Sequence, residues 1–138
     1  MLLSIIVPVR NEISYIANSF RSIIKAASRL ESEIFFVDGK SSDGTFEWLQ
    51  NGIKTLDNCK LIINNDFEIA KKFNFDGIHL GQNDKSCMEA KAKFGKGFIV
   101  GVSCTDSLSQ YKIAENQKAD YVAFGPMYKT FSKRKKKN

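Results

Sequence analysis

Short runs of Ile, Val, Leu and Phe recur along the chain, and between them lie longer stretches whose apolar residues return every three or four positions. The short runs predict strands at residues 3–9, 33–37, 60–63, 77–80, 98–102 and 121–124. The longer stretches predict helices at roughly residues 13–30, 45–54, 67–73, 85–94 and 107–117. About six strands alternating with five helices is the pattern of repeated βα units, and so of a parallel α/β sheet.

Two arrangements satisfy that pattern: an incomplete (βα)8 TIM-type barrel, or an open Rossmann-like sheet. In both, the loops that leave the C-terminal strand ends gather on one edge, where helix N-termini offer free N–H groups to anions. Those loops are residues 10–12, 38–43, 64–66, 81–84, 103–106 and 125–133, polar where the strands are not. Chemistry is expected there.

A length of 138 residues suits one domain and excludes two full-sized catalytic ones. With 43% hydrophobic and 26% charged residues, the chain has the means to bury a core and no mark of disorder. The net charge of +6 invites a nucleic-acid reading, but five of the positive charges fall in the last six residues, 133–138, so the folded body is nearly neutral. Aromatic residues and glycines do not interleave with that tail, and no specific nucleic-acid partner is expected. Cys59, Cys87 and Cys104 are odd in number and widely spaced, which points to reduced thiols in the cytoplasm instead of a disulfide frame or a zinc site. The run at residues 2–9 is too short to span a bilayer and reads as a buried strand, not a signal peptide.

Two sets of motifs carry chemistry. Ser4-Ile5-Ile6-Val7-Pro8-Val9-Arg10-Asn11-Glu12 is followed, after a helix, by Phe36-Val37-Asp38-Gly39-Lys40-Ser41-Ser42-Asp43-Gly44-Thr45. Over residues 1–55 this pair resembles the opening of a family-2 glycosyltransferase. The resemblance implies that Pro8, Arg10, Glu12 and Asp38 hold the nucleoside of a sugar nucleotide. A carboxylate at a strand end can accept from a base N–H, and Ser41, Ser42 and Asp43 can cap the next helix. Lys40 stands where that family more often has Gly or Ser, and its metal motif and catalytic base do not appear further along.

From residue 57 onward the chain resembles strands three to six of thiamine-phosphate synthase, a (βα)8-barrel enzyme. The pieces are Leu61-Ile62-Ile63-Asn64-Asn65-Asp66, Asp76-Gly77-Ile78-His79-Leu80-Gly81-Gln82-Asn83-Asp84, Ile99-Val100-Gly101-Val102-Ser103 and 119–130, which contains Gly125-Pro126-Met127-Tyr128-Lys129-Thr130. That family joins a hydroxymethylpyrimidine diphosphate to a thiazole phosphate and expels pyrophosphate with Mg2+ bound. By resemblance, Asp84 binds Mg2+, with Asn65 where a second metal-binding Asp is common and Asp66 a neighbouring substitute. Ser103 and Lys133 contact pyrophosphate, Asn64 the diphosphate or pyrimidine, and Thr130 and Ser132 the thiazole phosphate. Lys40 falls near the family's diphosphate-binding Gln-x-Arg-x-Lys stretch. Asp84 also reads as a helix cap before Lys85, and His79, between Ile78 and Leu80, reads as a packed, hydrogen-bonded histidine.

The sequence therefore reads as a composite with a junction near residues 51–60, its segments 1–56 and 57–138 sharing one fold. The expected activity is a thiamine-phosphate synthase-like transfer on phosphorylated or diphosphate small molecules, weakened by an incomplete site. Sugar-nucleotide binding and a noncatalytic βα scaffold with residual phosphate binding stand as alternatives. An incomplete barrel would expose two strand edges, a route to a homodimer.

Overall fold

The computed structural model describes residues 3–81 and 83–125. Six strands, β1 (Leu3–Val9), β2 (Ser32–Asp38), β3 (Cys59–Asn64), β4 (Gly77–Leu80), β5 (Ile99–Thr105) and β6 (Tyr121–Phe124), form one sheet. Five helices connect them: α1 (Ile16–Ala27), α2 (Thr45–Gly52), α3 (Phe67–Lys72), α4 (Cys87–Phe94) and α5 (Leu108–Asn116). Each strand pairs in parallel with the next in sequence, so the order is β1-β2-β3-β4-β5-β6. A doubly wound sheet reverses its strand order and carries helices on both faces. Here the order never reverses. The sheet is a curled half-barrel, the first of the two arrangements that the sequence pattern allows.

Strand alternation divides the side chains between two layers. Ile34, Phe36, Leu61, Ile63, Ile78, Leu80 and Val100 pack against Ile16, Phe20, Leu49, Phe67, Ala70 and Ala90 of the helices. Phe35, Val37 and Ile62, with Ile99 and Tyr121, form a smaller core on the concave face. That face has little room: a Cβ on Gly77 would lie 2.7 Å from both Ile62 Cδ1 and Ile99 Cβ, and one on Gly101 would overlap the Tyr121 ring. Two glycines thus let large neighbours share the interior.

The N-terminal strand ends are fastened by carboxylates. Asp76 accepts from the Leu61 N–H at 2.8 Å and Asp120 from the Val100 N–H at 2.7 Å, each standing just before its own strand and gripping the one beside it. This opposite edge is spent on stability, which leaves the C-terminal edge for ligands. Among the described residues, no helix is long and apolar enough to cross a membrane. Cys59, Cys87 and Cys104 are free and buried.

Candidate functional site

At the C-terminal edge lies an open cleft of about 540 Å³ to which every strand contributes. Pro8 and Arg10 come from β1 and the residue after it, Gly39 follows β2, and Asn64, His79 and Ser103 end or line β3, β4 and β5. Glu12 stands at the rim and Ala123 of β6 closes the far side. Pro8, Arg10 and Glu12, assigned from one resemblance, therefore share a cavity with Asn64 and Ser103, assigned from the other.

The first two loops are pinned to each other. Asn11 N–H donates to Ser41 Oγ at 2.9 Å, and Ser42 N–H donates back to Asn11 Oδ1 at 2.9 Å. Glu12 N–H donates to the buried Thr45 Oγ1 at 2.8 Å, and Ile13 N–H to Asp43 Oδ2 at 3.0 Å. These bonds hold Arg10 and Glu12 at the cleft. Gly39 lets the two loops approach closely: a Cβ there would come within 3.2 Å of Arg10 Cβ and push that side chain by a few tenths of an ångström. Asn11 takes a left-handed φ of 54°, a conformation that Asn tolerates better than most residues. The N-cap of α2 is Gly44, with no side-chain cap hydrogen bond, so the expected capping by Ser41, Ser42 and Asp43 is corrected: Asp43 stands one residue too early and accepts from Thr45 N–H at 3.0 Å, while Ser41 and Ser42 bond Asn11.

Asp38 does not join this cavity. Its strand neighbours Val37 and Gly39 line the cleft, so alternation turns Asp38 toward the helices. It is 2% exposed, its Oδ2 accepts from Ser41 N–H at 3.0 Å, and its Oδ1 has no partner among the described residues. Lys40 also points elsewhere, to Asp66 Oδ2 at 3.0 Å. Asp66 is occupied in turn as the N-cap of α3, accepting from Glu68 and Ile69 N–H. The Ile69 hydrogen bond, followed by the Lys40 charge, holds its carboxyl below the usual range. Asp66, offered by the resemblance as a substitute metal ligand, is thus occupied by α3 and Lys40 in this structure.

Asn65 follows β3 with φ 61°, its N–H donating to the His79 carbonyl at 2.9 Å. Asp84 Oδ2 accepts from Gly81 N–H, closing the loop after β4, and lines a separate cleft of about 160 Å³ between α4 and α5. The cap of α4 is Ser86, which forms a reciprocal capping box with Glu89, so the reading of Asp84 as that cap is corrected. Ser86 sits one residue before the helix and offers the right oxygen; Asp84 is two residues too early. No group of three or more His, Cys, Asp or Glu able to hold a metal occurs among the described residues. Thr130, Ser132 and Lys133 lie outside the described residues.

His79 is bound at both ring nitrogens. Nδ1 lies 3.0 Å from Tyr121 Oη and Nε2 lies 2.8 Å from Ser103 Oγ. Its ring stacks on Tyr121 with centroids 5.6 Å apart. Burial pushes its pKa down, against a smaller upward pull from Asp84, and burial also pushes the Tyr121 phenol well up. Tyr121 is a functional neighbour that the sequence reading misses. The signal is parity: His79, Ser103 and Tyr121 occupy inward positions on three consecutive strands, but their register appears only once the strands are paired.

Residues 12–138 match the family described as thiamine monophosphate synthase. The matched range takes in residues 12–55 of the stretch that resembles a glycosyltransferase, including its second motif at residues 36–45. The chain is 47% identical over 74 residues to the thiamine-phosphate synthase of Pelagibacter ubique, covering 54% of this chain and 35% of that protein. To the enzyme of Methylococcus capsulatus it is 39% identical over 90 residues, covering 62% and 40%. It spans between about a third and two-fifths of the length of these relatives. In fold, it superposes on a thiamine phosphate pyrophosphorylase from Pyrococcus furiosus with a TM-score of 0.62 at 18% identity, over 91% of this chain and 60% of that one. A half-barrel whose cleft is built from all six strand ends, and a family match reaching from the first loop to the last residue, lead to one conclusion: the chain belongs to the thiamine monophosphate synthase family.

Proposed function

We propose that the chain serves a thiamine-phosphate synthase-type transfer, in which a hydroxymethylpyrimidine diphosphate and a thiazole phosphate are joined and pyrophosphate departs. The observation that carries this reading is the cleft: it sets the Arg10 guanidinium, the Asn64 amide and the Ser103 hydroxyl around one cavity. A departing diphosphate develops negative charge, and fixed donors and a cation aimed at it lower the barrier. Arg10 supplies the charge, and Asn64 and Ser103 the directed hydrogen bonds. Thr130, Ser132 and Lys133 are assigned to the two phosphates on the strength of the resemblance, and Lys40 to the diphosphate once it exchanges Asp66 for substrate.

Mg2+ belongs to the same proposal. Asp84 and Asn65 follow neighbouring strands, and one carboxylate with one amide oxygen suits an ion that completes its shell with substrate phosphates and water. Asp84 accepts from Gly81 N–H beside the smaller cleft, so it would have to turn from that bond to hold Mg2+ at the main cleft, where the ion would neutralise charge on the diphosphate. Three further assignments go with this reading: the free, buried cysteines fit a reducing cytoplasm, the outer edges of β1 and β6, unpaired among the described residues, fit a homodimer, and residues 1–56 form its first two βα units.

Sugar-nucleotide binding is favoured by Pro8, Arg10 and Glu12 lining the same cleft, but Asp38 faces the helices. A thermal-shift screen separates the readings. Hydroxymethylpyrimidine diphosphate with Mg2+ at a hundredfold its Kd should add about 2.7 kcal/mol to the stability. Arg10→Ala should remove most of that gain and Asp84→Asn its Mg2+ dependence. A shift by a uridine diphosphate sugar instead, lost in Asp38→Ala, would transfer the site to the second reading, and no shift with either would leave a noncatalytic scaffold.

A further inference from the structure

The chain contains one histidine, and both of its ring nitrogens are engaged. A neutral imidazole has one donor and one acceptor, so the Tyr121–His79–Ser103 chain can run in only two directions. In one, Ser103 donates to Nε2, Nδ1–H donates to Tyr121 Oη, and the phenolic proton needs another acceptor. Tyr121 Oη has no second hydrogen-bond partner among the described residues, and its ring is held against Gly101 and Phe35. That direction strands a half-buried donor, which structures avoid. In the other, Tyr121 donates to Nδ1, Nε2–H donates to Ser103 Oγ, and the spare proton sits on Ser103. Ser103 lines the open cleft, where an acceptor can meet it.

We propose that Tyr121 and His79 are positioning residues: they hold His79 as the Nε2–H tautomer and make the Ser103 hydroxyl a donor aimed into the cleft, suited to an anionic oxygen. A hydroxyl that already accepts from an N–H is a stronger donor than a free one, because hydrogen bonds in a chain polarise each other. The charged groups near this chain are Asp84, whose charge acts on the histidine, and Arg10 and Glu12, which line the same cleft. Burial lowers the pKa of the ring, the direction that favours the neutral form. That the anionic oxygen belongs to a diphosphate rests on the function proposed above; the tautomer does not.

The single histidine makes the test direct. In the full, 15N-labelled chain at neutral pH, a long-range proton–nitrogen correlation should show one pyrrole-type nitrogen at Nε2 and one pyridine-type nitrogen at Nδ1. Tyr121→Phe, which cannot donate, should move the Nδ1 resonance toward that of an unbonded pyridine-type nitrogen. Inorganic pyrophosphate, titrated calorimetrically, should bind about tenfold more weakly to Ser103→Ala, and more weakly also to Tyr121→Phe, whose ring and serine are intact. A protonated Nδ1 in the unaltered chain overturns the proposal, and so does pyrophosphate binding that neither substitution changes. The stated tautomer without pyrophosphate binding supports the relay and sinks the diphosphate reading. Should Tyr121→Phe not fold, the unaltered chain and Ser103→Ala still decide.

Discussion

Gly101 is where the interior of the half-barrel and the cleft meet, and replacing it with Ala tests the packing that holds His79. The added Cβ would fall on Cζ, Cε1 and Oη of Tyr121. That ring cannot simply swing aside, since Phe35 flanks it at 5.4 Å and His79 at 5.6 Å. Forcing a methyl into such a layer costs about 1–3 kcal/mol. Displacing Oη from Nδ1 adds about 0.5–1.5 kcal/mol for the lost hydrogen bond. Against this, Ala in place of Gly on a strand gains about 0.5–1 kcal/mol, because φ at Gly101 needs no left-handed freedom. The net expectation is a destabilisation of about 0.5–4 kcal/mol, centred near about 2 kcal/mol. Urea unfolding followed by tryptophan fluorescence should show a lower midpoint with an unchanged slope. The decisive measurement is the same substitution in a Tyr121→Ala background, where the overlap is gone and the penalty should vanish or reverse. A Gly101→Ala chain as stable as the original, or a penalty that survives the loss of the tyrosine ring, would refute the packing argument.

Ser86→Ala removes the capping box of α4 and should cost about 1 kcal/mol by the same unfolding assay. Stability should also fall in acid. Hydrogen bonds from Ser86 to Glu89, from Ile69 to Asp66 and from Thr45 to Asp43 lower these carboxyl pKa values, so their contribution is complete above the unfolded range and is lost as pH drops through the lower folded values, below about 4. A double-mutant cycle on Lys40 and Asp66 should return a coupling under about 1 kcal/mol that fades with salt, because both side chains are partly exposed; a larger value would mean a more rigid bridge than its exposure allows. Burial raises the thiol pKa values of Cys59, Cys87 and Cys104, so alkylation at neutral pH should be slow in the folded chain and rapid in urea.

Periodicity made the fold legible. Strands at Leu3–Val9, Gly77–Leu80 and Tyr121–Phe124 begin and end where the apolar runs do, and the others differ by one to three residues at an end. Helix starts were harder. The first helix is expected from residue 13 but begins at Ile16, because Thr45 and Asp43 capture the N–H groups of Glu12 and Ile13 from 33 and 30 residues away. No local pattern announces such a capture. Asp84 shows the same limit, since only the geometry distinguishes a carboxylate that closes its own loop from one that caps a helix.

The candidate site was legible by residue type and illegible by orientation. Asp38, Lys40 and Asn64 all sit at strand ends rich in polar groups, yet only Asn64 reaches the cleft. What separates Asp38 from Asn64 is parity, since one step along a strand exchanges the concave face for the helical one, while Lys40 lies beyond β2 at φ 63° and turns to Asp66. Parity cannot be read without knowing which face is concave, and that depends on all six strands curling the same way. The same rule explains how two motif sets read as parts of different proteins meet in one cavity. Pro8 and Arg10 differ by two, as do Val37 and Gly39, and each pair shares a face with Asn64, His79 and Ser103 on the following strands. A sheet that pairs in strict sequence order and bends one way will bring such residues together whatever motif each belongs to. The loops of residues 10–12 and 38–45 then need only the hydrogen bonds of Asn11 and Thr45 to be held at the rim of that cavity.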